Sequence, residues 1–179
     1  MGFPTDQPPI LETSRLVLAP QDESDADELF PILRDPASIG HWGWSQIEDP
    51  ELAAQVFAAQ AAEVRTGRAL HWTLRSLQDD KLTGCCDLTG IDRKLRRAEL
   101  GFLLGRAANT QGHGLEALRA VLVYAAARGI RRLQACAPLG ARAAESLIEA
   151  LGFTEQRVLR GHVERDGERR DGRLYSLTL

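Results

Sequence analysis

The sequence feature that most constrains the fold is a glycine turn between a predicted strand and a predicted helix. A short apolar run predicts a strand over Ala98–Leu104, and apolar periodicity predicts a helix over Leu115–Arg128. Between them, Asn109–Gly114 carries Gly112 and Gly114, where no Cβ blocks a ligand from the backbone. The unpaired N–H groups and the dipole at the start of the helix favour an anion. The turn is therefore a candidate phosphate site.

Two well-known phosphate-binding patterns are not found at this turn. The chain contains no G-x-x-x-x-G-K-[ST] sequence, which excludes a Walker A loop. Ala117 stands where a dinucleotide fingerprint needs its third glycine, and the strand–helix unit comes late in the chain. Two interpretations stay open. The turn either binds a phosphorylated ligand, or its glycines only let the chain enter the helix.

The residues around the turn resemble the acetyl-CoA-binding core of the GNAT acyltransferase superfamily, over 97–105 and 112–120. The pyrophosphate loop of that family reads Q/R-x-x-G-x-G/A. Asn109, Gly112 and Gly114 take its first, fourth and sixth positions without insertion or deletion. The resemblance implies acetyl-CoA as co-substrate. It also implies that the following residues bind its phosphate end: Asn109, Thr110, Gln111, Gly112, His113, Gly114 and Leu115. For His113, a solvent-facing loop position is the alternative.

The resemblance extends over nearly the whole chain and is strongest to the branch that contains the ribosomal-protein N-terminal acetyltransferases. Glu12–Leu18 is similar to the opening strand of that branch, Ala150–Phe153 to the end of its last helix, and Asp171–Leu177 to its last strand. Matched stretches in the right order are more specific than one glycine pair. The acceptor that this branch implies is a primary amine, either a protein N-terminus or a small molecule.

Composition excludes several other classes of protein. A net charge of -3 gives no general case for binding nucleic acid or a membrane surface. No apolar stretch is long enough to span a bilayer, and no signal-peptide pattern is present, so we expect a cytoplasmic protein. Three cysteines, Cys85, Cys86 and Cys136, do not form a disulfide framework and are expected to be buried apolar residues. No motif suggests a metal.

The order of predicted elements indicates one α+β (mixed α/β) domain over residues 1–179, with residues 1–11 as a loose N-terminal arm. The resemblance implies a GNAT-like fold, with a central, mostly antiparallel mixed sheet of about seven strands, helices on its flanks and a splay between the two central strands. Strands are predicted at 15–19, 70–76, 81–91, 98–104, 131–137, 153–164 and 170–179. Helices are predicted at 25–33, 50–65, 115–128 and 141–151.

Transfer of an acetyl group from a thioester to an amine needs a base, because the amine must be neutral to attack. Direct attack needs no nucleophilic side chain. Glu99, on the strand before the turn, is the first candidate base, and Asp87 on the preceding strand is the second. For Glu99 the alternative is a surface carboxylate paired with Arg96 or Arg97. The family further implies that backbone groups of Phe102, Leu103 and Leu104 hydrogen-bond the pantetheine chain of acetyl-CoA.

Two other regions bear on catalysis. Trp42 and Trp44 lie among glycines, where the resembling family forms a wall of the substrate pocket; covering the core is the alternative. Ala141 and Ala144 stand where the family commonly has Asn and Ser, which orient the cofactor and protonate the leaving thiolate. Ser146 is the nearest hydroxyl.

These residues predict an acetyl-CoA-dependent N-acetyltransferase that is a monomer or a homodimer. A CoA-binding regulatory or catalytically degenerate homologue is the alternative, because Ala141 and Ala144 lack the usual polar groups. If the resemblance is set aside, the turn is left as a site for some other phosphorylated ligand.

Overall fold

The structure is a computed structural model that describes residues 7–40, 47–165 and 167–179. The strands are β1 (Leu11–Glu12), β2 (Leu16–Pro20), β3 (Ile39–Gly40), β4 (Leu70–Ser76), β5 (Leu82–Asp92), β6 (Arg97–Leu104), β7 (Arg132–Pro138), β8 (Thr154–Arg165) and β9 (Glu168–Thr178). The helices are α1 (Asp25–Leu33), α2 (Pro50–Arg65), α3 (Arg106–Thr110), α4 (His113–Ala127) and α5 (Arg142–Ala150).

The strands of the described residues form one mixed sheet, in the order β1-β2-β4-β5-β6-β7-β9-β8, with β3 paired to β6. The β6–β7 pair is parallel because α3 and α4 carry the chain across between them. The other strand pairs are antiparallel. Seven strands are longer than two residues, as predicted. The sequence missed β1 and β3, because two residues are too few to show an alternating pattern. The predicted α+β class and GNAT-like sheet are confirmed.

Helices cover both faces of the sheet, and the alternation of side chains along β6 separates the two faces. Leu100, Phe102 and Leu104 are buried in the larger core, together with α4 and α5. Leu103 points the other way and packs against the smaller core under α1 and α2, which includes Phe57. Among the described residues, no helix has both the length and the apolar character that crossing a membrane requires.

The segment predicted as a loose N-terminal arm is partly held against the sheet. Residues 1–6 of it lie outside the described part of the chain. Within residues 7–11, Pro8 is buried, the Trp72 indole N–H donates to the Pro9 carbonyl at 2.8 Å, and Leu11 pairs with Leu18. The structure therefore differs from the expectation over residues 7–11, because a buried indole needs an acceptor and this segment supplies one.

Candidate functional site

An opening lies between β6 and β7, where the predicted splay is found. The two strands pair only from Arg97–Arg132 to Glu99–Gln134, although β6 runs on to Leu104 and β7 to Pro138. Because β5 occupies the other edge of β6, the short strand β3 pairs with β6 on the side of β7. The two strands therefore separate beyond Glu99, and β3 pairs with the same edge of β6 at Leu103 and Leu104.

The direction of backbone groups along β6 alternates, which decides which residues face the opening. The Gly105 N–H donates to the Thr83 carbonyl on the β5 side at 2.9 Å. Leu103 therefore turns its backbone groups toward β5, whereas Phe102 and Leu104 turn theirs toward β7 and β3. A Cβ on Gly84 of β5 would lie 2.4 Å from the Leu103 carbonyl oxygen, which supports this assignment. The expectation that Leu103 supplies backbone groups to a ligand in the opening is not met.

The glycine turn begins α4 two residues earlier than the sequence predicts, at His113. Gly112 is the N-cap residue with φ of 73°, a left-handed conformation that glycine adopts without strain. Gly114 serves close packing, since a Cβ there would lie 2.3 Å from Leu104 Cδ1 and 3.4 Å from Leu147 Cδ2. The sequence missed α3, which includes the first two residues of the predicted turn, Asn109 and Thr110. Gly114 thus has a structural role in placing α4 against β6.

A cavity of about 270 Å³ lies beside the glycine turn, between the starts of α4 and α5. It is lined by Gly112, Gly114, Leu115, Ala143, Ser146 and Leu147. Ser146, the candidate hydroxyl nearest to the Ala144 position, is thereby brought to the glycine turn. A bound ligand that follows the turn would meet this hydroxyl at its phosphate end.

The remaining residues predicted to bind acetyl-CoA or substrate are partly buried, partly exposed and partly outside the described residues. Asn109 and Thr110 belong to α3, and their side chains lie outside the description. Gln111 is exposed. His113 is buried to 6% exposure and its Nδ1 has no hydrogen-bond partner, so the alternative of a solvent-facing position is wrong. Trp42 and Trp44 fall outside the described residues, and their role as a pocket wall stays a prediction.

Glu99 and Asp87 lie on one face of the sheet, the face covered by α1 and α2. On β5, Asp87 pairs with Gly101 and Thr89 pairs with Glu99, so the two carboxylates project from the same side. Glu99 is exposed, whereas Asp87 is 3% exposed. Burial raises the pKa of Asp87 to about 8, and the nearby charges of Glu63 and Glu99 add to the rise.

The alternative interpretation of Glu99 as half of a surface ion pair finds no support in the structure. Within the described part of the chain, no ion pair joins Glu99 to Arg96 or Arg97. Arg97 instead lies 4.0 Å from Asp92. The Glu99 carboxylate is therefore exposed beside the opening and is not neutralised by either of those neighbours.

His71 is a residue of this cluster that the sequence analysis missed. Its Nδ1 lies 4.0 Å from Asp87 Oδ2, and its Nε2, which has no hydrogen-bond partner, lies 3.8 Å from Glu63 Oε2. Burial lowers the pKa of His71 to about 4. Because the pKa shifts of His71 and Asp87 both favour neutral forms, their contact at neutral pH is not an ion pair. Nothing local marks His71, since its partners come from β5 and α2.

The cysteines are free thiols and poor candidates for a nucleophile. Burial raises the pKa of Cys136 to about 11, with a further contribution from Glu99, and it raises the pKa of Cys85 and Cys86 as well. A thiol with a raised pKa supplies little thiolate near neutral pH. Over the described residues, no group of three or more His, Cys, Asp or Glu side chains is placed to hold a metal ion.

Comparisons of the sequence with known proteins agree with the fold described above. The family model described as an acetyltransferase (GNAT) domain matches residues 15–154. The chain is 27% identical over 170 residues to the uncharacterized N-acetyltransferase YoaA of Bacillus subtilis (strain 168), covering 94% of this chain and 96% of that protein.

Two solved structures share the fold. One is the Salmonella typhimurium acetyltransferase that modifies the N-terminal serine of 50S ribosomal subunit protein L7/L12, with a TM-score of 0.83, 19% identity, and coverage of 96% of this chain and 99% of that chain. The other is Mycobacterium smegmatis RimJ in complex with CoA-disulfide, with a TM-score of 0.79, 20% identity, and coverage of 99% and 90%.

Proposed function

The chain belongs to the GNAT acetyltransferase family, and from this premise we propose that it moves an acetyl group from acetyl-CoA to a primary amine by direct attack. The observation that carries the proposal is the separation of β6 and β7 beyond Glu99, next to the glycine turn that starts α4. This places a gap for an extended chain beside a helix N-terminus for phosphate groups.

The residues present fit acetyl-CoA at its phosphate end. Gly112 is the left-handed N-cap of α4 and has no side chain over the start of the helix, and the 270 Å³ cavity beside it is lined by Gly112, Gly114 and Ser146. On the side of the opening, Leu104 pairs with Ile39 of β3, and we propose that the pantetheine chain lies between this pair and the end of the β6–β7 pairing at Glu99. Hydrogen bonds from Phe102 and Leu104 to that chain stay a prediction. When bound, acetyl-CoA supplies the activated acetyl group and a thiolate leaving group.

We propose Glu99 as the base that takes the proton from the acceptor amine, with Asp87 as the second candidate. Glu99 is exposed on the face of the opening, so it can meet an amine that enters from solvent. Asp87 is buried behind Gly101, and its raised pKa of about 8 means that it holds its own proton at neutral pH. The geometry therefore favours Glu99 for direct contact.

We propose a protein N-terminus or a small amine as the acceptor. We also propose that the reaction takes place in the cytoplasm. The likeness to the enzyme that modifies an N-terminal serine of L7/L12 supports the first class of acceptor. Three free cysteines suit a reducing compartment. We keep the expectation of a monomer or homodimer that binds neither nucleic acid nor membrane.

A second candidate function is CoA binding with little turnover. Ala144 is buried at 1% exposure, and Ala141 caps α5 without a side-chain hydrogen bond. Neither residue supplies the polar group that the family commonly has there. Under this alternative, the protein binds acetyl-CoA but no acceptor accelerates its cleavage.

The deciding experiment measures free thiol released from acetyl-CoA over a panel of N-terminal peptides and small amines. We expect acceptor-dependent release by the native protein, a loss of at least about 100-fold in kcat with Glu99→Gln, and unchanged release with Glu23→Gln, an exposed control. If Asp87→Asn shows this loss and Glu99→Gln does not, the base is Asp87. Tight binding of acetyl-CoA without release for any acceptor would favour the second candidate function.

A further inference from the structure

Arg15 of the N-terminal segment reaches across the molecule to the glycine turn. Its Nε donates to Glu116 Oε2 at 2.6 Å and its backbone N–H to Glu116 Oε1 at 2.9 Å, over a separation of 101 residues. Its Nη1 donates to the Gln111 carbonyl at 2.8 Å. Nη2 lies 3.8 Å from the position that a Cβ would take on Gly112. One guanidinium therefore contacts both ends of the turn.

The contact matters because Glu116 lies in the first turn of α4. A carboxylate there suits the helix dipole, but it repels any phosphate group that binds at the same N-terminus. Burial alone raises the pKa of Glu116, yet hydrogen bonds from Thr13 and Arg15 outweigh this and lower it, so the group is charged. The Glu116 side chain is 19% exposed, and the Arg15 side chain is 48% exposed.

The carbonyl oxygen of Gln111, on the other side of the turn, carries a partial negative charge that can also repel phosphate groups. A carbonyl oxygen that faced the phosphate groups would add to the repulsion. The bond from Arg15 Nη1 engages this oxygen, and it joins the residue before Gly112 to the helix after it. Because the guanidinium is planar, the two contacts fix the turn in one geometry.

We propose that Arg15 is a positioning residue for acetyl-CoA, which cancels the charge of Glu116 and fixes the glycine turn so that its N–H groups face the phosphate groups. This inference rests on the proposed use of acetyl-CoA. Arg15 acts through Glu116 and Gln111. Binding of the pantetheine and acetyl groups, which carry no phosphate, does not depend on Arg15.

The test measures dissociation constants for acetyl-CoA and for S-acetylpantetheine, a thioester without the pyrophosphate, by calorimetry. We expect Arg15→Gln to weaken acetyl-CoA binding about tenfold or more and to leave S-acetylpantetheine unchanged. The double variant Arg15→Gln/Glu116→Gln should recover to about threefold weaker than the native protein, because the uncompensated carboxylate is gone but the bond to the Gln111 carbonyl is still missing. Glu116→Gln alone should bind at least as tightly as the native protein.

Arg75 offers a matched control, because it also bonds a carboxylate, that of Glu28, and a backbone carbonyl, that of Asp80. Arg75→Gln should not change acetyl-CoA affinity. Equal binding by Arg15→Gln and Arg75→Gln, or a double variant as weak as Arg15→Gln, would overturn the inference.

Two further measurements distinguish a failure of this inference from a variant that does not fold and from a failure of the proposed function. If Arg15→Gln does not fold, Arg15→Lys replaces it. It keeps the charge but not the planar fork, and it must bind acetyl-CoA at least about threefold more weakly than the native protein. Native-like binding by Arg15→Lys would then overturn the inference. Failure of the native protein itself to bind acetyl-CoA would instead reject the proposed function.

Discussion

Two residues on the sheet face under α1 and α2 have pKa values that differ from those of the free amino acids. Asp87 and His71 face each other in the interior, and both are neutral at pH 7 because burial disfavours their charged forms. Glu63 is exposed at 59% and lies on the far side of His71. The three groups form a line from the buried carboxyl to solvent.

The two buried groups predict opposite dependences of stability on pH. Asp87 has a pKa of about 8 when folded and ordinarily 3.8, so its contribution is full below pH 4 and is lost as the pH rises to 8. His71 has a pKa of about 4 when folded and ordinarily 6.5, so its contribution is full above pH 6.5 and is lost as the pH falls to 4. Between pH 4 and 6.5 the two groups change the free energy of unfolding in opposite directions, and the changes cancel. Between pH 6.5 and 8 only Asp87 changes it, and the free energy of unfolding falls as the pH rises.

Replacement of Asp87 by Asn therefore changes the pH profile in a defined way. We expect Asp87→Asn to remove a fall in the free energy of unfolding between pH 6.5 and 8, and to reveal a rise with pH below 6.5 that is due to His71. Urea unfolding at pH 5, 6.5 and 8 measures this. The exposed Asp27→Asn is the control and should keep the native profile. Parallel profiles for the native protein and Asp87→Asn would refute the assignment.

At the scale of elements, the separation of β6 and β7 and the placement of α4 form one arrangement. β6 pairs in parallel with β7 only as far as Glu99, and α4 packs back onto β6 through Gly114 and Leu104. The turn thereby brings the start of α4 close to the β6 strand that borders the opening. The sequence located the turn and the helix, but not the distance between helix and strand.

A methyl group at position 114 tests this packing. In Gly114→Ala the new Cβ would lie 2.3 Å from Leu104 Cδ1, so Leu104 or α4 must shift, which should cost about 1–3 kcal/mol of stability. Thermal and urea unfolding measure the loss, and calorimetry with acetyl-CoA measures the effect on the turn. In Leu104→Val/Gly114→Ala the clashing carbon is absent, so the combined loss should be smaller than the sum of the two single losses. An additive result would contradict the contact.

At the scale of the whole molecule, one sheet joins the N-terminal strand β1 to the C-terminal strand β9. Arg15 adds a link between the first strands and α4. We propose on this basis that residues 1–179 are a single domain. The larger core draws residues from β2, β4, β6 and β7 as well as from α4 and α5, so both halves of the chain contribute to it.

A single domain of this size should unfold in one cooperative transition. Urea unfolding followed by tryptophan fluorescence, to which the buried Trp72 contributes, and by far-ultraviolet circular dichroism should give the same midpoint and the same slope. Arg15→Gln should lower the midpoint for both signals together. Two separated transitions would show that the chain consists of independent units.

The sequence by itself determined the order of strand, glycine turn and helix, the positions of the long strands, and the family resemblance. These features depend on neighbouring residues, since glycine conformations, apolar periods and alternation are encoded locally. Glu99 and Asp87 became candidate bases in this way, because Glu99 lies on the strand before the turn and Asp87 on the strand before that one.

Tertiary structure alone decided which distant groups meet. The contact of Arg15 with Glu116 joins residues 101 positions apart in the chain. The contacts of His71 with Asp87 and Glu63 join three successive elements, and they form only when β5 pairs with β4 and α2 packs on the sheet. Burial, which sets the pKa of Asp87 and His71, arises only when α2 covers the sheet. The same holds for Leu103, whose backbone direction is fixed by its pairing with β5 and not by its own sequence.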